Sequence, residues 1–209
     1  PNGAKISAYG FWDGGDTFRI RCMFPVAGTW RWKTTCSDTA NAGLHEKSGT
    51  VNVANYTGDN PLYRKGYLKV SGNKRYLTYG NGDPFLWIGD TPWAAFMAAT
   101  QEEWESYLQN RSENKFSVVQ VHCGSGFLNL TKDREGNPPF IGSGAALQWN
   151  PAYWQGVERK VIAANDRGLL VYLCAVRQPG GGFPVKDFQV DHQEDDDGGP
   201  HRKDGEHND

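Results

Sequence analysis

The sequence predicts an α/β protein in which the first three strands of a parallel barrel follow part of an antiparallel β-sandwich. Three apolar segments alternate with two capped, amphipathic helices between residues 84 and 176. This β-α-β-α-β order is typical of a parallel sheet with helical crossovers. Between residues 18 and 53, apolar and polar residues instead alternate with a period of two, which indicates antiparallel strands with one solvated face.

The sandwich is predicted over residues 1–55, as the C-terminal part of an immunoglobulin-like fold. Apolar and basic residues alternate through 18–24 and 30–33, and Gly28 between these segments is expected to close a hairpin. Residues 49–53 (GTVNV) form a further expected strand. Because only about four strands can be counted where such a domain has roughly seven, the first strands are expected to precede the first residue of the chain.

A second domain is predicted over residues 56–184, and it begins with a linker and a hairpin. Residues 67–70 and 76–79 are expected to pair around a turn at 71–74. This hairpin leads into the first barrel strand and is expected to cap the bottom of the barrel.

The first barrel strand, residues 84–93 (PFLWIGDTPW), carries most of the functional interpretation. An NGDP turn precedes it, and the apolar run at 85–88 predicts that the strand is buried. The strand should deliver Asp90, Thr91 and Trp93 to its carboxyl end. Enzymes built on parallel barrels hold their pockets at that end of the sheet.

Two helices are predicted downstream, each with an identifiable start. Thr100 and Glu103 form a capping box for the first helix. Asn150 and Pro151 start the second, which is expected to stop at Gly168. The faces expected to pack on the sheet carry Trp104, Tyr107, Leu108 and Arg111 on the first helix and Trp154, Val157, Val161 and Ala164 on the second.

The two strands that follow these helices are predicted at residues 116–123 (FSVVQVHC) and 169–176 (LLVYLCAV). Both lack strict polar alternation, which is typical of strands covered on both faces. A loop of about 26 residues separates the first of these strands from Asn150. Because most connections of this kind are far shorter, the length of this loop indicates a functional segment.

Composition and charge exclude several classes of protein. The formal net charge of the chain is -2. Residues 185–209 contain nine acidic and three basic residues, and the rest of the chain has a net charge of +4. Neither part is therefore basic enough to predict nucleic-acid binding. No stretch of 18 apolar residues predicts a membrane span. The chain has no signal peptide and does not begin with Met, so we expect a cut within a longer protein. Residues 185–209 are expected to be a disordered acidic tail or a frame-shift artefact.

No cofactor and no metal site are predicted. The four cysteines form no C-x-x-C pair, and the acidic run at 195–197 lacks the Gly and Glu positions of a calcium loop. The GSGF turn at 124–127 lacks the spacing of a nucleotide-binding loop. A disulfide between Cys22 and Cys36 is one alternative, but buried free thiols are favoured for the cysteines.

Three stretches of the chain resemble the apiosidase-like glycoside hydrolases, whose (β/α)8 catalytic domain commonly follows an immunoglobulin-like β-sandwich. They are YGFWDGGDTFRIRCMFPVAGTWRWKTT at 9–35, YLTYGNGDPFLWIGDTPWAAF at 76–96 and EEWESYLQNRSENKFSVVQVH at 102–122. The resemblance implies an incomplete TIM barrel, limited to its first three strands. It also implies an extracellular or periplasmic protein whose partner is a polysaccharide or oligosaccharide substrate.

The activity implied by the resemblance is hydrolysis of a glycosidic bond in plant or microbial polysaccharide by two carboxylic acids. The family carries those acids near its fourth and seventh strands. No catalytic residue of this chain can therefore be named, and the chain is expected to be truncated before its catalytic carboxylates and inactive by itself.

Five residues are candidates for contact with sugar under this resemblance: Asp90, Thr91, Trp93, His122 and Arg177. Asp90 can accept hydrogen bonds from hydroxyl groups, Trp93 can stack on a sugar ring, and His122 can bind a hydroxyl or a carboxylate. Arg177 can pair with an acidic sugar. The structural alternatives are a turn cap for Asp90, core packing for Trp93, a structural hydrogen bond for His122 and a solvated loop for Arg177.

Two other functions stay open on the sequence. The chain can be a non-catalytic carbohydrate-binding or scaffold module in which the sandwich and Trp93 bind glycan. It can also be a surface-interaction protein that has no role with sugars. Titration against a glycan panel and assays of sugar release separate these alternatives.

Overall fold

The computed structural model describes residues 2–123 and 130–174. The strands are β1 (Gly10–Trp12), β2 (Phe18–Ile20), β3 (Gly28–Lys33), β4 (Ser48–Val53), β5 (Lys69–Val70), β6 (Leu77–Thr78), β7 (Pro84–Phe85), β8 (Gly89–Asp90), β9 (Val118–His122), β10 (Phe140–Ile141), β11 (Gln148–Trp149) and β12 (Leu170–Cys174). The helices are α1 (Pro61–Lys65), α2 (Ala95–Ala98), α3 (Gln101–Glu113) and α4 (Pro151–Asp166), with a 3-10 turn at Gly144–Ala146. The acidic tail and the GSGF turn lie outside the described residues.

The N-terminal part contains two antiparallel hairpins, β1–β2 and β3–β4. The strand predicted at 49–53 is confirmed by β4, but the hairpin predicted around Gly28 is wrong, since β2 pairs with β1 and β3 with β4. The cause lies in the DGGD turn between β1 and β2. Gly14 and Gly15 both adopt positive φ there, and the Asp13 N–H donates to the Thr17 carbonyl at 2.9 Å. Two consecutive glycines make this a tight turn that most residues could not form.

A small antiparallel sheet, β5–β6–β7, precedes the parallel sheet. The predicted hairpin around residues 71–74 is confirmed, because β5 pairs with β6 and the Ser71 N–H donates to the Tyr76 carbonyl at 2.8 Å. Its third strand, β7, is the beginning of the segment that was predicted as the first barrel strand. The hairpin thus leads directly into the parallel sheet.

The single buried strand predicted over 84–93 is wrong, because β7 joins the antiparallel sheet and only β8 joins the parallel one. Between β7 and β8 the Ser117 hydroxyl adds to the backbone hydrogen bonds that the Ser117 and Val118 N–H groups donate to the Ile88 carbonyl. It donates to the Leu86 carbonyl at 2.5 Å and accepts from the Ile88 N–H at 2.9 Å. The connecting residues are exposed, with Leu86 at 72% of its maximal accessible surface.

The parallel sheet has the strand order β8-β9-β12, which is the chain order. The predicted β-α-β-α-β arrangement and the α/β class are therefore confirmed. Val118, Val119 and Val121 of β9 are fully buried, as expected for a strand covered on both faces. The outer strand β12 is more open, since Tyr172 and Leu173 are 48% and 42% exposed.

Both crossover helices begin as predicted. The Thr100 hydroxyl accepts from the Glu103 N–H while the Glu103 carboxylate accepts from the Thr100 N–H, so the capping box of α3 is confirmed. The Asn150 side chain accepts from the N–H of Ala152 at the start of α4. Gly168, with φ of +76°, ends the turn after α4 in a conformation that favours glycine.

The core lies between β9 and the helices α2, α3 and α4. Trp104 is 1% exposed, which confirms its predicted packing role. Trp154 is only partly buried and packs at the edge of the core, because the neighbouring Tyr153 takes the fully buried position. Lys160 is also buried, and its ammonium donates to the Phe96 and Ala99 carbonyls at 2.9 and 2.7 Å.

The N-terminal hairpin contacts the helical layer through polar groups. Arg21 forms an ion pair with Glu158 of α4, and the Gln155 side chain donates to the Asp13 carbonyl at 3.0 Å. These contacts connect β1–β2 with the outer face of α4. The N-terminal part is thus held on the helix that follows the second strand of the parallel sheet.

All four cysteines are free, so the alternative of a disulfide between Cys22 and Cys36 is wrong. Cys123 is buried as favoured, but Cys22 is exposed, which contradicts the expectation of a buried thiol there. Among the described helices, none has the length and apolar character needed to cross a bilayer.

Candidate functional site

The candidate site lies at the carboxyl end of the parallel sheet, where β8 ends at Asp90, β9 at His122 and β12 at Cys174. Strand register places these ends at different heights. His122 pairs with Cys174, whereas Asp90 pairs with Val119, three residues before the end of β9. At a rise of about 3.3 Å per residue, Asp90 lies roughly 10 Å below the level of His122.

Strand register also decides which face of the sheet each side chain occupies. Paired residues on neighbouring strands point to the same face, and successive residues along one strand point to opposite faces. Val119 and Val121 belong to the core packed against the helices, so Asp90, the partner of Val119, points to the helical face. His122 has the opposite parity and shares the other face with Gln120.

The contacts of Asp90 agree with this assignment. One carboxylate oxygen, Oδ2, accepts from the Tyr107 hydroxyl at 2.9 Å and forms an ion pair with Nη1 of Arg111 at 3.2 Å. The other, Oδ1, accepts from the N–H of Thr91 at 2.7 Å. Asp90 is thus bound to α3 and to the following turn, as in the structural alternative of a turn cap.

Tyr107 and Arg111 form a compact polar and aromatic group around this carboxylate. Burial and the neighbouring Asp90 carboxylate raise the pKa of the Tyr107 hydroxyl well above its usual value. The Tyr107 ring stacks on Trp104 with a centroid separation of 5.4 Å, and the Arg111 guanidinium lies 5.2 Å from the Tyr107 ring centroid. The end of β8 is therefore anchored to the hydrophobic core through α3.

Beyond Asp90 the chain forms a tight turn that brings Trp93 beside His122. The Trp93 N–H donates to the Thr91 carbonyl at 2.9 Å, and the Trp93 carbonyl accepts from the His122 N–H at 2.9 Å. Trp93 is 37% exposed and Thr91 is exposed, whereas His122 is only 4% exposed. Of the five predicted residues, the structure thus brings Thr91, Trp93 and His122 together, and Arg177 lies outside the described residues.

Sequence reasoning missed an aromatic cluster at the same edge of the sheet. The predicted long loop contains the antiparallel hairpin β10–β11, in which Phe140 pairs with Trp149. The rings of Phe140 and Trp149 are 4.9 Å apart, and Trp149 lies 4.8 Å from Trp154 of α4. A signal was available, since two aromatic-containing segments flank the glycine-rich IGSG turn at 141–144.

An open depression of about 540 Å³ lies on the surface of α3, along Glu102, Glu103, Ser106, Tyr107, Asn110 and Arg111. A cavity of about 80 Å³ lies among the start of α3, residues 133–135 and α4. It is much smaller than the roughly 300 Å³ of the smallest usual ligand pockets. Within residues 2–123 and 130–174, no group of three or more His, Cys, Asp or Glu side chains can hold a metal ion.

Comparison with solved structures finds relatives among the glycoside hydrolases. The chain is similar to a "putative glycoside hydrolase" from Bacteroides vulgatus ATCC 8482, at 25% identity and a TM-score of 0.62, over 78% of this chain and 33% of that one. A second structure, a glycoside hydrolase, is 24% identical with a TM-score of 0.45, over 53% of this chain and 25% of that one. The chain thus spans between a quarter and a third of the length of these structures. Comparison with the curated proteins gave no match.

Comparison with protein families gives two matches. A domain of unknown function, DUF5060, matches residues 1–37, which include β1, β2 and β3. The apiosidase-like catalytic domain matches residues 71–193, which include the whole parallel sheet and both crossover helices. Because this match covers more than half of the sequence, the chain belongs to the apiosidase-like family.

Proposed function

We propose that this chain supplies the first three β/α units of a (β/α)8 domain that hydrolyses glycosidic bonds in plant or microbial polysaccharide. The observation that carries the proposal is the pairing of Trp93 with His122. It presents an exposed indole at the carboxyl end of a parallel sheet, where barrel enzymes bind their substrates. Membership of the apiosidase-like family supports the sugar as the ligand.

In this proposal Trp93 stacks on a sugar ring, and the exposed Thr91 hydroxyl contacts a sugar hydroxyl. His122 lies beside Trp93 on the face of the sheet away from the helices and lines the floor of the same site. Arg177, three residues after β12 ends, contributes a cation to it. We further propose an extracellular or periplasmic location, and an immunoglobulin-like sandwich to which residues 1–55 belong.

In this scheme Asp90 positions the turn that follows β8, and it is not one of the two catalytic carboxylic acids. A glycosidase needs two carboxyl groups about 5–9.5 Å apart across the scissile bond, each reaching the sugar. The Asp90 carboxylate is instead bound by Tyr107 and Arg111 on the helical face. We therefore propose that the acid pair comes from residues outside the three described barrel strands and that residues 1–209 bind sugar without cleaving it.

Calorimetric titration with a panel of pectic and hemicellulosic oligosaccharides tests the proposal. Trp93→Ala should weaken binding, and Trp93→Phe should restore most of the affinity because the flat ring is retained. Assays of reducing-sugar release should show no turnover by this chain. Release of sugar would refute the assignment of the acids, and binding that is indifferent to Trp93→Ala would refute the site.

A second function, a non-catalytic carbohydrate-binding module, has support from one observation on the N-terminal hairpins. Trp32 of β3 is 45% exposed, and one edge of its ring covers Gly49 of β4 so closely that a Cβ at Gly49 would lie 2.7 Å from the ring. Such a supported, exposed indole can also stack on sugar. Trp32→Ala distinguishes the two functions, because it weakens binding only if the hairpin is the sugar site.

A further inference from the structure

The hairpin β10–β11 presents an aromatic surface that the proposed function does not use. Trp149 is 51% exposed, and Leu147, two residues before it, is 37% exposed. Ile141, which is 41% exposed, pairs with Gln148 and so belongs to the opposite face of the hairpin. Isolated apolar residues on a surface are ordinary, but an exposed indole supported by two further aromatic rings, those of Phe140 and Trp154, is a candidate binding surface.

A short chain of contacts places this hairpin at the same edge of the sheet as Trp93. The Tyr153 hydroxyl donates to the carbonyl of Cys123, the residue that follows β9, at 2.7 Å. The Tyr153 ring is 5.2 Å from that of Trp154, which in turn is 4.8 Å from Trp149. Trp149 therefore belongs to the carboxyl end of the sheet, in the connection between the second strand and its helix.

The position of Trp149 is held by several independent contacts. The Trp154 indole N–H donates to the Pro139 carbonyl at 2.9 Å, and the Asn150 N–H donates to the same carbonyl at 3.0 Å. The Asn150 side chain donates to the Pro138 carbonyl at 2.8 Å while it caps α4. Because folding already orders the Trp149 ring, little further conformational entropy of the side chain is lost when a ligand stacks on it.

The chemistry of the hairpin selects the class of ligand. Residues 138–150 (PPFIGSGAALQWN) include no Asp, Glu, Lys or Arg. An anionic or cationic ligand would gain no ion pair from these residues, whereas the C–H face of a neutral sugar ring matches a flat apolar indole. The hydroxyl-bearing edges of such a ring stay in water, since the indole covers one face only.

We propose that Trp149 forms a second sugar subsite, which stacks on a neutral sugar residue of a chain whose other residues occupy the site at Trp93. This inference rests on the proposed function, because it assumes that the ligand is a carbohydrate. The subsite lengthens the binding surface along the rim of the sheet. It adds affinity for oligosaccharides long enough to reach both rings and none for short ones.

The test is calorimetric titration of neutral gluco-, xylo-, galacto- and arabino-oligosaccharides, each as a disaccharide and a hexasaccharide. Trp149→Ala should weaken binding of the preferred hexasaccharide roughly three- to tenfold, the range expected for one aromatic stacking contact, and leave the disaccharide unchanged. Trp149→Phe should restore most of the affinity. Ile141→Ala is the matched control from the same hairpin and should have no effect.

Each result separates this inference from the function on which it rests. If Trp93→Ala weakens binding of both lengths and Trp149→Ala of neither, the proposed function stands and the second subsite is refuted. If Ile141→Ala weakens binding of the hexasaccharide as much as Trp149→Ala, the loss comes from the fold of the hairpin and not from stacking on Trp149, and the inference is wrong. If no oligosaccharide binds the wild-type chain, the proposed function fails and the subsite fails with it. Circular dichroism of Trp149→Ala confirms that the hairpin variant keeps its fold.

Discussion

Removal of one hydroxyl, in Tyr107→Phe, tests whether Asp90 is anchored to α3. The variant deletes the 2.9 Å hydrogen bond to Asp90 Oδ2 and keeps the ring that stacks on Trp104. Hydrogen bonds to charged groups contribute about 1.5–3 kcal/mol. The Asp90 side chain is 35% exposed and keeps its ion pair with Arg111, so we expect a loss below this range, of about 1 kcal/mol in the free energy of unfolding.

A matched control is available in Tyr63→Phe. Tyr63 also donates to a carboxylate, that of Asp166 at 3.0 Å, but Tyr63 is 40% exposed, so water can replace the lost partner. We expect a loss below about 0.5 kcal/mol for this variant. Urea denaturation at neutral pH measures both values, and hydrogen exchange at Thr91 and Trp93 reports whether the turn after β8 loosens in Tyr107→Phe.

Alkaline pH provides a second measure of the same contact. The pKa of Tyr107 is raised in the folded protein, so the unfolded chain loses this proton first, near its ordinary value of 10.0. The stabilisation is therefore fully present below pH 10 and declines as the pH rises further. The difference in stability between wild type and Tyr107→Phe should shrink above pH 10. Equal losses in Tyr107→Phe and Tyr63→Phe, or no change in exchange at Thr91, would refute the anchoring of Asp90.

Three further predictions concern the core, a buried cation and the N-terminal contact. Leu108→Ala, at a fully buried position of α3, should lower the free energy of unfolding by about 3 kcal/mol in urea denaturation. Lys160→Met should cost about 2 kcal/mol in the same assay, since the Phe96 and Ala99 carbonyls lose a charged donor at the end of α2. The pKa of Glu158 is lowered, chiefly by its hydrogen bond from Arg21, and that of Asp13 chiefly by its bond from Gln155. The stabilisation from these two carboxylates is fully present above their ordinary pKa values of 4.5 and 3.8, and it is lost as the pH falls through their lowered pKa values in the folded protein. Limited proteolysis below pH 4 should therefore cleave near β1–β2 faster than at pH 7.

Features that depend on neighbouring residues were predictable from the sequence. The capping box of Thr100 and Glu103 and the start of α4 at Asn150 involve groups within one helical turn. Their geometry is therefore set by local backbone chemistry. The same holds for the turn at 71–74, whose hydrogen bonds close within six residues. The order of the parallel strands was also predictable, because crossover helices leave few arrangements for consecutive strands.

Strand pairing in the N-terminal part was not predictable in the same way. The alternation of apolar and polar residues at 18–24 is compatible with pairing of β2 to either β1 or β3. The strand pairs with β1, because the turn between β1 and β2 has the better geometry. The DGGD sequence between β1 and β2 forms that turn with two residues at positive φ. The aromatic cluster of β10–β11 was missed for a related reason, since its strands have two residues each and carry almost no periodic signal.

The position of Asp90 shows why a candidate site is harder to predict than the strand that carries it. The sequence places Asp90 at a strand end, but the face to which it points depends on its register with β9. A shift of one residue would move the carboxylate to the other face of the sheet. The observed pairing with Val119 directs Asp90 to Tyr107 and Arg111 and leaves the opposite face to His122. The register of Asp90 with β9, more than its place in the motif, thus decides that its carboxylate contacts α3 and not the opposite face of the sheet.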